Sequence, residues 1–108
     1  MIAALEVALA RLAASGHTIT YGALARDLAI PGPGAIARLT AALENLMHRD
    51  AEANQPLRAA LCAGRLMNGL PANGFFLLAR TLGCFDGADP SGFVLAERQR
   101  LWAASTTK

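Results

Sequence analysis

Apolar side chains recur every three or four residues in the first part of the chain, and this spacing is typical of one buried helix face. Ile2, Leu5, Leu9 and Leu12 form the first such stripe. It predicts an opening helix that ends at Ser15-Gly16, where glycine can adopt the left-handed conformation that closes many helices.

A short helix, a tight connector and a long helix are predicted next. Thr20 is placed to cap a helix over Tyr21–Leu28, because a threonine hydroxyl can accept an unpaired backbone N–H. The segment 30–34 carries two prolines and two glycines, which a helix cannot continue through. From Ala35 to about Asn54 a second apolar stripe predicts a long helix with an inward face of Ile36, Leu39, Leu43, Leu46 and Met47.

The stretch Leu57–Met67 allows two interpretations. Its residues have good helix propensity, but Gly64 and the turn-like Asn68-Gly69 favour extended structure. We expect a strand over roughly Arg58–Gly64, which with the turn would form a small β-hairpin or wing.

Two further helices complete the predicted fold. Asn73 is expected to cap a helix over Gly74–Leu82, and Asp89 followed by Pro90 is typical of a helix start. The last helix should run to about Ala104, leaving 105–108 as a flexible tail. Residues 1–104 are thus expected to form one mainly α, helix-turn-helix or winged-helix-like domain, with about five helices and a small hairpin.

Composition supports a helical domain and excludes other classes. Of 108 residues, 24 are Ala and 17 are Leu, whereas Val and Ile together number six, so a large buried sheet is not expected. No apolar run is long enough to cross a membrane, and Glu6 and Arg11 interrupt the apolar N-terminus. These observations predict a cytoplasmic protein that does not associate with membranes.

Charge and cysteine usage point to no cofactor or metal. The formal net charge of +2 is too small to predict nucleic-acid binding by itself. Cys62 and Cys84 have no CxxC spacing, and His17 and His48 lie near neither in sequence, so a zinc site is not expected. Both cysteines are interpreted as reduced thiols.

The helix–connector–helix pattern has the outline of a helix-turn-helix, in which the second helix enters a DNA groove. Tyr21 and Arg38 are candidate contacts to duplex DNA, as are Asn45 and Arg49, although an ordinary solvated helix face would carry the same residues. The candidate wing residues are Arg58 and Arg65. Their spacing of seven would send them to opposite faces of a strand, so only one could project towards DNA.

The opening Thr20-Tyr21-Gly22, continued by Leu24 and Ala25 and followed by an Ala-rich helix, resembles the winged-helix half of alkylguanine-DNA alkyltransferases and alkyltransferase-like proteins. The resemblance implies a tyrosine and a following helix that grip DNA from the minor groove. That family's reactive Pro-Cys-His-Arg motif is missing, since Cys62 precedes Ala63 and Gly64. Alkyl transfer is therefore not expected.

The second half of the chain has a resemblance of its own. Its Gly69-Leu70-Pro71 and Gly74-Phe75-Phe76 resemble a pattern in small bacterial proteins of unknown function, which implies a shared fold but no activity.

Two functional hypotheses follow. The first is a small DNA-binding protein without catalytic activity, such as a transcriptional regulator. The alternative is a protein-interaction module or homodimer on the same fold, with Phe75, Phe76 and Trp102 as its apolar contacts. An enzyme is not expected, because no nucleophile–base pair or metal cluster is visible in the sequence.

Overall fold

The computed structural model describes residues 1–106 of the chain. Within this range the chain forms five α-helices, one short 3₁₀ helix and a two-stranded sheet. In chain order the elements are α1 (Ile2–Ser15), β1 (Ile19–Thr20), α2 (Tyr21–Asp27), α3 (Ala35–Glu52), the 3₁₀ helix (Arg58–Leu61), β2 (Cys62–Ala63), α4 (Asn73–Thr81) and α5 (Pro90–Thr106). The predicted mainly α fold with a small β element is confirmed.

The predicted hairpin is wrong. Arg58–Leu61 form the 3₁₀ helix, and only Cys62–Ala63 are extended. They pair in parallel with β1, Ile19 opposite Cys62 and Thr20 opposite Ala63. The physical reason is enclosure: residues 59–63 are all buried, whereas a hairpin strand with one solvated face would alternate. The Asn68-Gly69 turn does form, with positive φ at both residues, but it closes a loop instead of joining two strands.

The core runs through the centre of the fold, where the 3₁₀ helix packs against α1, α3 and α5. The predicted inward faces of the first two long helices supply much of it, but Ile36 is an exception. Its side chain is 45% exposed, so it lies at the edge of the α3 stripe. The fully buried large residues include Leu5, Leu9, Leu24, Leu39, Leu46, Met47, Leu57, Leu61 and Val94.

The helix ends agree with most of the predicted signals. Gly16 closes α1 in the left-handed conformation, and the Thr20 hydroxyl accepts the Ala23 N–H at 3.2 Å. The Asp89 carboxylate accepts the Gly92 N–H at 3.1 Å, just before the start of α5. Asn73 is not a cap, because it is already the first helical residue of α4.

The end of α5 lies beyond the predicted boundary. The helix continues through Ser105 to Thr106, so these two residues are not the flexible tail that we expected. The rest of the predicted tail, 107–108, falls outside the described residues. None of the helices among residues 1–106 has the length and apolar character needed to span a membrane.

Candidate nucleic-acid interface

The connector between α2 and α3 is held by one arginine. The Arg38 guanidinium donates to the backbone carbonyls of Pro31 and of Pro33, in the latter case at 3.3 Å. Gly32 and Gly34 have φ of 74° and 81°, a conformation that favours glycine. Arg38, a predicted DNA contact, thus fixes the connector between α2 and α3 while its side chain remains on the surface.

One face of α3 is uncovered. Ala37, Ala41, Asn45 and His48 follow each other at spacings of four, four and three, and all are exposed. We call these four residues the open face of α3. Neither Asn45 nor His48 has a side-chain hydrogen bond with any of residues 1–106. At 100° per residue, Arg38 and Arg49 flank the open face on one side.

The three carboxylates of α3 lie at different positions around the helix. Asp50 is buried on the opposite side of the helix. Glu44 lies between the open face and an apolar groove that Thr40, Met47 and Phe75 also line. Glu52, the last residue of α3, is in line with the open face, four positions after His48. The first three turns of the open face therefore present small or polar side chains beside two cations.

Arg49 and Arg58 belong to an ion-pair cluster with acidic residues of two helices. Arg49 Nη1 lies 3.3 Å from Glu6 Oε1, and Arg58 Nη1 lies 3.8 Å from the same oxygen. Arg58 also contacts Asp50, with Nη2 2.9 Å from Oδ1. Because Arg58 lies on the 3₁₀ helix and points inward to Asp50, its predicted position on a projecting strand is wrong. Arg49 remains 55% exposed at the edge of α3.

Two buried carboxylates hold the start of the 3₁₀ helix. Asp50 Oδ2 accepts the Arg58 N–H at 2.9 Å, and Glu97 Oε1 accepts the Leu57 N–H at 2.9 Å. This pair of contacts was not predicted from the sequence. A signal was present, because Asp50 follows Met47 by three positions and Glu97 follows Val94 by three, the spacing of a core-facing stripe.

Tyr21 and Arg98 fix the loop 64–72 that joins β2 to α4. The Tyr21 hydroxyl oxygen accepts the Ala72 N–H at 3.1 Å. Arg98 Nε donates to the Ala60 carbonyl at 2.7 Å, and its Nη2 donates to the Gly69 carbonyl at 2.8 Å. Burial raises the pKa of Tyr21 and lowers that of Arg98. Tyr21, predicted to contact DNA, thus has one structural hydrogen bond.

The tip of this loop projects into solvent. Arg65 is exposed and has no ion pair or hydrogen bond from its side chain to any described residue. Leu66, the next residue, is 91% exposed and has a φ of 61°, a conformation that costs a leucine free energy. Of the two arginines predicted on a wing, Arg65 is the one that the structure leaves available to a ligand.

Cys62 has the properties of a core thiol. It is fully buried, and burial raises its pKa to about 12, so it stays protonated at neutral pH. Cys84 is exposed, and the partial desolvation of its thiol raises its pKa. Over residues 1–106, no cluster of three His, Cys, Asp or Glu side chains has the arrangement of a metal site.

Phe75, Phe76 and Trp102, the predicted protein contacts, do not form a projecting patch. Phe75 is buried, and Phe76 packs edge-on against it at 5.2 Å between ring centres. The two rings continue an internal aromatic cluster with Phe85 and Phe93. Trp102 is partly buried, and its Nε1 finds no acceptor among the described residues.

Comparison of the chain with protein-family models, with curated proteins and with solved structures gave no match.

Proposed function

We propose that the protein is a non-catalytic DNA-binding protein of the helix-turn-helix type that acts in transcriptional regulation. The observation that carries this proposal is the open face of α3. It presents small and uncommitted polar side chains over three turns, with Arg38 and Arg49 along one side and with Asp50 buried on the opposite side of the helix.

Each part of this face suits a groove of duplex DNA. Ala37 and Ala41 let the helix backbone approach closely, since their side chains extend little beyond it. The Asn45 amide can donate and accept, as contacts to base edges require. Arg38 and Arg49 bind phosphates, which position a protein on the duplex without reading its sequence.

The loop 64–72 supplies a second contact. Because β1 and β2 are parallel, their C-terminal ends lie at the same end of the sheet. The loop therefore follows β2 at the end where α2 follows β1. Arg65 at its tip binds phosphate. The Tyr21 hydroxyl accepts the Ala72 N–H and keeps its own proton for a phosphate oxygen. The proposal assigns the protein to the cytoplasm, where Cys62 and Cys84 stay reduced.

Salt-titrated binding to a fluorescent duplex tests the proposal. Phosphate contacts by Arg38, Arg49 and Arg65 predict a slope of log K against log salt of about −2 to −3. No binding at low salt, or a slope near zero, would contradict the proposal.

A further inference from the structure

A second exposed surface lies in the groove between α1 and α2. The groove has a volume of about 740 Å³. One wall of the groove is a stripe of α1 that lies beside the core-facing stripe. The other wall is the C-terminal half of α2. The residues that matter here are Val7, Arg11, Leu12, Asp27 and Leu28.

The floor of this groove is apolar and incompletely covered. Leu12 and Leu28 are partly buried, and Val7 is 51% exposed. Ala4 and Ala8 lie in the same stripe of α1 and leave room beside Val7. Val7 therefore forms a small apolar ridge next to an apolar depression.

The two charges of the groove have opposite signs and lie on opposite walls. Arg11 belongs to α1 and Asp27 to α2, and both are exposed. Neither makes an ion pair or side-chain hydrogen bond with any residue of the described range. A cation and an anion are thus both available at the border of one apolar surface.

We propose that the groove binds a second copy of this chain about a two-fold axis. In a two-fold interface, if residue i contacts residue j of the partner, then j contacts i. Arg11 of each copy pairs with Asp27 of the other, which satisfies both charges on both chains. The Val7 ridge of each copy fills the depression beside Leu28 of the other. A partner with a single sign of charge would leave one of the two groups unpaired.

This inference is separate from the proposed DNA contact, which uses α3 and the loop 64–72. If the protein dimerises without binding DNA, the dimer proposal stands and the DNA proposal fails. If it binds DNA as a monomer, the reverse holds.

Sedimentation equilibrium of charge-reversed variants tests the dimer. The native protein should dimerise, and Arg11→Asp or Asp27→Arg alone should weaken dimerisation at least about tenfold. Each substitution replaces both of the symmetric ion pairs of the dimer by pairs of like charges. An equimolar mixture of the two variants should form a heterodimer, since each mutant charge then faces an opposite charge. Arg80→Asp, an exposed substitution on α4, is the matched control and should dimerise as the native chain does.

Val7→Asp provides a test that does not involve the ion pair, and it should also give a monomer. Circular dichroism establishes that each variant is folded. A monomeric native protein would overturn the proposal. So would a dimer that Arg11→Asp, Asp27→Arg and Val7→Asp leave unchanged, or single variants whose mixture stays monomeric.

Discussion

Arg58 and Asp50 form the most extensively connected ion pair of the fold. Arg58 Nη2 and Nε lie 2.9 and 3.0 Å from Asp50 Oδ1, and the Arg58 N–H donates to Asp50 Oδ2 at 2.9 Å. One carboxylate thus binds both the side chain and the backbone of the residue that begins the 3₁₀ helix. The pair fixes the central segment of the core to the C-terminal part of α3.

Replacing Asp50 should destabilise the protein strongly. Asp50→Ala removes three hydrogen-bond acceptor contacts, leaves the Arg58 N–H without its acceptor and leaves a partly buried guanidinium with only its longer contact to Glu6, which should lower the free energy of unfolding by about 3 kcal/mol. Urea denaturation measures this. The control is Glu52→Ala, an exposed carboxylate two residues later, which should change the free energy by less than about 0.5 kcal/mol. Equal effects of the two substitutions would contradict this role of Asp50.

Glu97 should stabilise the fold through its acceptor oxygen more than through its charge. Glu97→Ala leaves the Leu57 N–H buried without an acceptor and should cost about 2 kcal/mol of unfolding free energy. Glu97→Gln keeps an amide oxygen at that place and should cost clearly less, although the pair with Arg100 is lost. The midpoints of urea unfolding give the comparison, and a glutamine variant as unstable as the alanine variant would argue against the hydrogen bond.

Replacing Leu66 by glycine should not lower stability, whereas the same replacement of an exposed leucine in a helix should. Its φ of 61° is unfavourable for leucine and easy for glycine, so Leu66→Gly should leave stability unchanged or raise it by up to about 1 kcal/mol. Leu77→Gly on α4, where the leucine is 67% exposed, should cost about 1 kcal/mol. Thermal unfolding of both variants measures the contrast, and a loss of similar size in both would contradict the strained loop tip.

The burial of Cys62 should make the protein sensitive to alkali. The folded thiol has a pKa of about 12, raised from 9.0, so above pH 9 the unfolded chain releases a proton that the folded chain keeps. The stabilisation is complete below pH 9 and is lost as the pH rises towards 12. Between pH 8 and 10.5 this group should remove about 2 kcal/mol of unfolding free energy.

Cys62→Ala separates this effect from packing. The variant should be less stable at pH 8, because a buried sulfur is lost, but its stability should fall about 2 kcal/mol less between pH 8 and 10.5. Urea unfolding at several pH values gives both quantities. Parallel pH profiles for the native protein and the variant would show that Cys62 does not titrate in this way.

The helices could be predicted from the sequence because their signals are local. Apolar spacing in α1 and α3, the Thr20 cap and the Asp89-Pro90 start each depend on residues within a few positions of one another. The 3₁₀ helix and β2 could not be predicted in the same way. Their conformation depends on burial between α1, α3 and α5 and on acceptors from Asp50 and Glu97, which are distant in sequence.

The candidate site was predictable to a smaller extent. The open face of α3 follows from the helical period, which places Asn45 opposite the apolar stripe. Which arginines are available does not follow from it, because Arg58 is bound by Asp50. Phe75 and Phe76 were also predicted to form a protein contact, whereas two rings from elsewhere in the chain, Phe85 and Phe93, pack against them.

The most direct test of DNA binding through the open face of α3 compares two alanine-to-glutamate substitutions. Ala41 lies in the middle of that face, and Ala10 is exposed on α1, so both variants gain one carboxylate on a helix surface. Fluorescence anisotropy with one duplex at low salt measures their affinities. Ala41→Glu should weaken binding about tenfold or more, while Ala10→Glu should weaken it by no more than about twofold. Equal affinities of the two variants, or weaker binding by Ala10→Glu, would contradict a DNA contact through α3.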